Sequence, residues 1–113
     1  MPVTRDRRYV ETCARVDRNN VKVGNAKNLA VRKKNYWKEF DQENVEYIPI
    51  ALVENIQQAE TAILRHLRAW RKRSPKGRLM DWLENIRLDV AITQALYALK
   101  ADAVLHKVLV QFE

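Results

Sequence analysis

A long row of apolar residues at helical spacing most restricts the folds open to this chain. The row consists of Leu52, Val53, Ile56, Ala59, Ile63, Leu67 and Trp70. Steps of three and four place such side chains on one face of an amphipathic helix. Pro49 suits the first turn of that helix, and Pro75 disfavours helical geometry in the residue before it. We therefore predict a helix from about residue 49 to residue 73.

A second apolar segment follows the Ser74–Gly77 turn signal. Residues 78–107 contain two apolar stripes at helical spacing, and Val90–Leu99 is apolar nearly all round. Such a helix is buried on more than one side. The chain then ends in β-forming residues, Val108–Phe112, which are compatible with a short strand. These patterns predict an all-α protein built on an antiparallel helical hairpin, with helices at about 49–73 and 78–107.

Turn-forming residues are scarce, with two glycines and three prolines in 113 residues, which favours long helices over many short strands. We expect a single domain: a basic N-terminal arm or short helix over residues 1–24, then a helical domain over 25–113. Tyr9–Val16 fits a helix or a strand, and we favour a short helix. Asn25 is a candidate cap for a helix that contains Leu29, Tyr36 and Phe40.

Charge is unevenly distributed along the chain. The net charge is +7, yet residues 39–64 hold six acidic groups and no basic one, whereas residues 65–78 hold seven basic groups and no acidic one. Residues 1–38 add eleven basic and three acidic groups. Two basic blocks separated by an acidic one indicate contacts with an anionic partner.

The basic blocks predict binding to the phosphate backbone of DNA or RNA. Lysine and arginine dominate such contacts, and no residue pattern here indicates base readout, so we expect low sequence specificity. The candidate contact residues are Arg65, Arg68, Arg71, Lys72, Arg73, Lys76, Arg78, Arg32, Lys33, Lys34, Arg7 and Arg8. Trp70 lies among these cations but also on the apolar row, and we favour core packing over base stacking for it.

An alternative interpretation is a protein interaction or scaffold module, in which the basic block at 65–78 pairs with an acidic surface of a partner. Under either interpretation the second helix has more apolar surface than one hairpin covers, so we expect self-association or docking into a larger complex. The other possibility is a monomeric bundle completed by residues 9–40.

Motifs for enzyme chemistry are not visible in the sequence. Cys13, His66 and His106 lack metal-ligand spacing, and no glycine-rich phosphate loop is present. We interpret the acidic residues from Glu39 to Glu46 as a solvated linker or as a surface that pairs with a basic block of a neighbouring chain. The prediction is a non-enzymatic protein with no cofactor, metal or small-molecule substrate. A single cysteine and the lack of a membrane-length apolar run favour the cytoplasm, or the host cytoplasm for a viral protein, and no membrane partner.

In size, expected helicity and charge, the chain resembles two kinds of small helical subunit. One is the small terminase subunit of tailed phages, and the other is the small helical subunit of CRISPR effector complexes. The resemblance implies a basic subunit that binds nucleic acid within a homo- or hetero-oligomeric assembly. It assigns no individual residues, and it leaves open DNA or RNA, single or double strand, stoichiometry and biological process.

Overall fold

The computed structural model describes residues 8–15 and 20–110, and within them it shows a mixed α/β fold rather than an all-α one. Strands take 37% of these residues and helices 43%. Short 3₁₀ turns occur at Gln42–Asn44 and Arg68–Trp70. The longer elements are β1 (Arg8–Arg15), β2 (Asn20–Ala26), α1 (Leu29–Phe40), β3 (Val45–Val53), α2 (Ile56–His66), β4 (Arg71–Arg73), β5 (Leu79–Glu84), α3 (Leu88–Ala101) and β6 (Leu105–Val108).

The strands form one six-stranded sheet in the order β4-β5-β2-β1-β3-β6, with antiparallel pairing throughout. Helices α2 and α3 pack on one face, where Val10, Ile63 and Leu99 belong to the main core. Helix α1 covers part of the other face, where Cys13, Tyr36 and Val45 form a smaller core. The segments expected in a basic arm or short helix are therefore strands β1 and β2, and β1 lies between two cores.

The predicted helix at 49–73 is wrong, because its apolar row runs through several different elements. Residues 45–53 are strand β3, and α2 begins only after Asn55, whose side chain accepts from the Gln58 N–H at 3.2 Å. Pro49 is tolerated inside β3 because the β1–β3 register shifts there. Next to this register shift, the Ile50 carbonyl accepts hydrogen bonds from the N–H groups of Leu109 and Val110.

The predicted helix at 78–107 is also wrong, since it is divided into β5, α3 and β6. The turn expected at Ser74–Gly77 is present, and the Gly77 N–H donates to the Ser74 carbonyl at 2.8 Å. Gly77 has a φ of +82°, which glycine adopts without strain. This turn joins two strands, β4 and β5, rather than two helices. The layout resemblance to helical subunits, which depended on an all-α fold, is withdrawn with the hairpin.

The apolar surface of α3 is covered within the chain. Six of its residues are buried, because the helix packs against both the sheet and α2. The uncovered face that suggested self-association is thus largely internal, and assembly stays a prediction. Among residues 8–15 and 20–110, no helix is long and apolar enough to cross a membrane.

We predict that Leu99→Ala lowers the free energy of unfolding by about 2–5 kcal/mol, because Leu99 is fully buried between α3 and the sheet and its loss leaves a cavity. Tyr97→Ala on the same helix is the matched control, since Tyr97 is 63% exposed. Urea denaturation followed by circular dichroism measures both changes. Equal losses for the two variants would contradict the placement of α3.

Candidate nucleic-acid interface

A cavity of about 180 Å³ lies where strand β2 loses its partner β5. The two strands pair only from Asn20 to Lys22 of β2, so the edge of β2 beyond Lys22 is not covered by β5. Helices α1 and α2 close this region. The polar lining consists of Lys22, Asn25, Arg32, Glu60 and Asp81, and the apolar lining includes Val10, Val23, Ile63 and Leu64.

Arg32 reaches the cavity from the first turn and a half of α1. Asn28 caps that helix by accepting from the Val31 N–H at 3.1 Å, so the helix begins three residues later than the Asn25 cap that we predicted. Arg32 Nε donates to Glu11 Oε1 at 3.2 Å, and the guanidinium lies 4.9 Å from the centre of the Tyr36 ring. The side chain is still 37% exposed. Arg32 is therefore held on one side and accessible on the other.

Glu11 is fully buried beneath Arg32, in the middle of strand β1. Its Oε1 also accepts from the Tyr36 hydroxyl at 3.2 Å, whereas its Oε2 finds no hydrogen-bond partner among the residues that the structure describes. Burial raises the pKa of Glu11, and the Arg32 guanidinium opposes that rise only in part. Gly24 pairs with Glu11 across β1 and β2, and a Cβ at that position would lie 3.4 Å from Oε1, in ordinary van der Waals contact.

The buried carboxyl also affects its neighbours on the α1 face of the sheet. Burial, together with the nearby Glu11, raises the pKa of Cys13 to about 11. The same two causes raise the pKa values of Tyr36 and Tyr47. Burial and a raised pKa both favour the thiol form of Cys13, and buried thiols of this kind are generally unreactive.

Glu60 contributes a second carboxyl group to the cavity from helix α2, where its Oε1 accepts a hydrogen bond from Asn25 Nδ2. On the β2 side, Lys22 lines the cavity while its Nζ lies 6.0 Å from the centre of the Trp82 ring. Two cations, Lys22 and Arg32, therefore share one small cavity with two carboxylates, Glu60 and Asp81. Such a site can bind an oxyanion through Arg32 and Lys22, and Glu60 can accept a proton or bind a cation.

Within residues 8–15 and 20–110, no group of three or more His, Cys, Asp or Glu side chains is placed to hold a metal ion. A divalent cation at Glu60 would accordingly take most of its ligands from water and phosphate oxygens, a common arrangement for Mg²⁺. The cavity thus offers two protein carboxylates, Glu60 and Asp81, and not a complete metal-binding cage.

The structure places the predicted contact residues in several locations. Arg32 lies in the cavity, whereas Lys33 and Lys34 are exposed on α1, with Lys33 Nζ 4.7 Å from the centre of the Trp37 ring. Arg8 begins β1, and Arg7 lies outside the described residues. Of the twelve candidates, Arg32 alone belongs to the cavity lining among the residues described there.

The basic block at 65–78 is partly neutralised by acidic groups of the same chain. Its ion pairs are Arg65 with Asp102 at 3.3 Å, Arg71 with Asp81 at 3.8 Å and Lys72 with Glu84 at 3.6 Å. Arg73 donates to the Gly77 carbonyl at 2.9 Å. Arg68, Lys76 and Arg78 are exposed. The block therefore keeps a positive surface at the β4–β5 turn. Trp70 packs against the main core, in agreement with its predicted packing role.

Sequence reasoning missed the acidic and amide groups that line the cavity or lie beneath it. Glu11, Asn25 and Glu60 lie on β1, β2 and α2, and no short motif connects them. One signal was present. A glutamate in the interior of a β-forming segment is unusual, because charged residues are rare in strands and burial of a carboxylate costs free energy. The helical interpretation of Tyr9–Val16 hid that signal.

We predict that Glu11→Gln stabilises the fold relative to wild type increasingly as the pH rises above about 4.3, the ordinary pKa of an exposed glutamate. An acid whose pKa is raised by folding binds its proton more tightly in the folded state, so the wild-type protein loses stability above about pH 4.3, where an exposed glutamate ionises. Glutamine has no proton to lose. Chemical denaturation at several pH values measures the difference, with Glu46→Gln as a control at an exposed carboxylate. Parallel pH curves for Glu11→Gln and wild type would contradict the raised pKa.

Comparison with known proteins identifies a family for most of the chain. The family model of the T5orf172 domain matches residues 8–109, which include every described strand and helix. No curated protein and no solved structure matches the chain significantly. The match indicates a phage-associated domain, and this domain occurs in some nuclease-like proteins, so the non-enzymatic character that we expected stays a prediction. The chain belongs to the T5orf172 domain family.

Proposed function

We propose that this chain is a nucleic-acid-binding domain that holds a backbone phosphate of DNA or RNA in the cavity between β2, α1 and α2. The observation that supports this most directly is the state of Arg32, which is anchored through Nε, remains 37% exposed and lines the cavity together with Lys22. A planar guanidinium with free N–H groups binds a phosphate through two parallel hydrogen bonds.

The β4–β5 turn extends the proposed contact surface beyond the cavity. Asp81 of β5 lines the cavity, and Arg78 precedes it by three residues, which is about 10 Å along a strand. Lys76 and Arg78 are both exposed at this turn. A nucleic-acid strand with one phosphate in the cavity could therefore place neighbouring phosphates on the turn. Contacts of this kind are salt-dependent and only weakly sequence-specific.

A second candidate function is hydrolysis of the phosphodiester that the cavity binds. The observation that favours it is the Glu60 carboxylate, which lines the same cavity as Arg32 and Lys22. Glu60 would bind a divalent cation or accept a proton from an attacking water molecule. Arg32 would stabilise the negative charge on the phosphoryl oxygens during attack. The occurrence of this domain in nuclease-like proteins is consistent with that chemistry.

The alternative of a protein interaction module draws less support from the same surface. Arg65, Arg71 and Lys72 already have carboxylate partners on this chain. An acidic partner protein would have to compete with those ion pairs, whereas a phosphate backbone has a cavity and the exposed turn available. Docking with further copies or other proteins would add to backbone binding and does not replace it.

We expect Arg32→Ala to weaken binding of a short labelled oligonucleotide by roughly tenfold or more, since hydrogen bonds to charged groups contribute about 1.5–3 kcal/mol. Arg32→Lys should fall between the two, because lysine keeps the charge and loses the planar fork. Fluorescence anisotropy with single-stranded DNA, duplex DNA and RNA at fixed salt measures the affinities. Lys100→Ala is the control, because Lys100 is exposed on α3, which lies on the face of the sheet opposite α1, and does not line the cavity. Unchanged affinity in Arg32→Ala would refute the cavity as the phosphate site.

We expect Glu60→Gln to abolish cleavage of a labelled oligonucleotide in Mg²⁺ or Mn²⁺ while leaving its binding within about threefold, because glutamine keeps an oxygen for Asn25 and loses the negative charge. A gel assay with and without EDTA measures the cleavage. If the wild-type protein binds but does not cleave with either ion, the hydrolytic candidate fails and the binding function stands.

A further inference from the structure

We infer that Glu11 is a positioning residue for the phosphate site: from the interior of the sheet it holds Arg32 in the orientation that faces the cavity. The inference deepens the proposed function of the cavity and rests on it. Glu11 is fully buried and does not line the cavity itself, so it does not touch the bound phosphate directly. It acts through Arg32.

Glu11 contacts Arg32 through the Nε–H group, and a phosphate can bind to the two terminal nitrogen atoms of the guanidinium. Glu11 Oε1 accepts from Arg32 Nε at 3.2 Å. The two terminal nitrogen atoms of an arginine carry four further N–H groups in a planar fork. A carboxyl group that occupies Nε therefore leaves that fork for an anion. The Tyr36 ring, 4.9 Å from the Arg32 guanidinium carbon, limits motion of the same group out of its plane.

Holding Arg32 in advance favours binding for an entropic reason. A solvated arginine has about 2 kcal/mol of rotamer entropy, part of which is lost when the side chain is immobilised on a ligand. The contacts of Arg32 with Glu11 and Tyr36 already reduce this rotamer entropy before a phosphate binds. The general effect is tighter binding without any new contact to the ligand.

The cost of Glu11 to the fold supports a functional role. A buried carboxyl group in a central strand loses its hydration, and an apolar residue of similar size would be favoured there for stability. Glu11 Oε2 and the Tyr47 hydroxyl are both buried without a hydrogen-bond partner in the described part of the chain. A half-satisfied buried polar group of this kind is typical of functional positions, where stability is sacrificed for geometry.

Electrostatics make the inference testable, because charge and position act in opposite directions. The carboxyl group of Glu11 reduces the positive potential of Arg32 and Lys22 and thus repels a phosphate. If its charge were all that mattered, replacing Glu11 with an uncharged residue would strengthen binding. A positioning role predicts weaker binding instead. Glutamine retains an acceptor oxygen at the Oε1 position and should support Arg32 as glutamate does.

The experiment measures the affinity of one labelled oligonucleotide for wild type, Glu11→Leu, Glu11→Gln, Arg32→Ala and the Glu11→Leu/Arg32→Ala double variant. We expect Glu11→Leu to weaken binding by roughly tenfold, and Glu11→Gln to stay within about threefold, from the usual contribution of a hydrogen bond to a charged group. In the Arg32→Ala background, Glu11→Leu should cause no further loss. Circular dichroism confirms the fold of each variant. Glu11→Asp, which keeps the charge but withdraws the oxygen atoms from Nε, replaces Glu11→Leu if that variant does not fold, with the same expected loss.

The outcomes separate the inference from the function on which it rests. Wild-type affinity in Glu11→Leu, with a loss in Arg32→Ala, overturns the positioning role and leaves the phosphate site intact. An equal loss from Glu11→Leu with and without Arg32 shows a structural role only and also overturns it. If Arg32→Ala itself has no effect, the phosphate site fails first, and the positioning role fails with it.

Discussion

The position of strand β1 at the centre of the sheet is the constraint on which the rest of the structure depends. β1 pairs with β2 on one side and β3 on the other, and it faces α2 and α3 through one set of side chains and α1 through the other. Every residue from Val10 to Ala14 is buried as a result. A polar residue in such a strand must find its partners inside the protein. Glu11 finds them on α1, and this links the centre of the sheet to the surface at Arg32.

The cavity follows from incomplete pairing of the sheet. β5 covers β2 only as far as Lys22, and the free end of β2 is closed by two helices that approach from opposite faces. Arg32 comes from α1 and Glu60 from α2. Arg32 and Glu60 thus belong to helices on opposite faces of the sheet, and both line the cavity at the edge of β2. The basic turn between β4 and β5 comes a few residues before Asp81, which lines the same cavity.

The incorrect helices show why period alone misassigned this chain. Apolar residues at steps of three and four do occur from Leu52 to Trp70, but only Ile56–His66 is an α-helix. Leu52 and Val53 end a strand that is held by its partners β1 and β6, and long-range pairing of this type outweighs local spacing. Asn55 and Pro49 were the local signs against one continuous helix. Asn55 is a good cap, and Pro49 is tolerated by the strand because of a bulge.

Local chemistry was readable where it depends only on neighbours along the chain. The sequence by itself determined the turn at Ser74–Gly77, a helix that contains Leu29, Tyr36 and Phe40, and a basic segment from Arg65 to Arg78, because turn geometry, apolar spacing within one helix and charge density are properties of residues close along the chain. The tertiary structure decided the fold class, the neutralisation of part of that basic segment, the contact between Glu11 and Arg32, and the cavity that Arg32 shares with Glu60. These outcomes depend on which strands pair and which faces are covered, and residues 21 or 28 positions apart carry no common local pattern that could reveal such contacts.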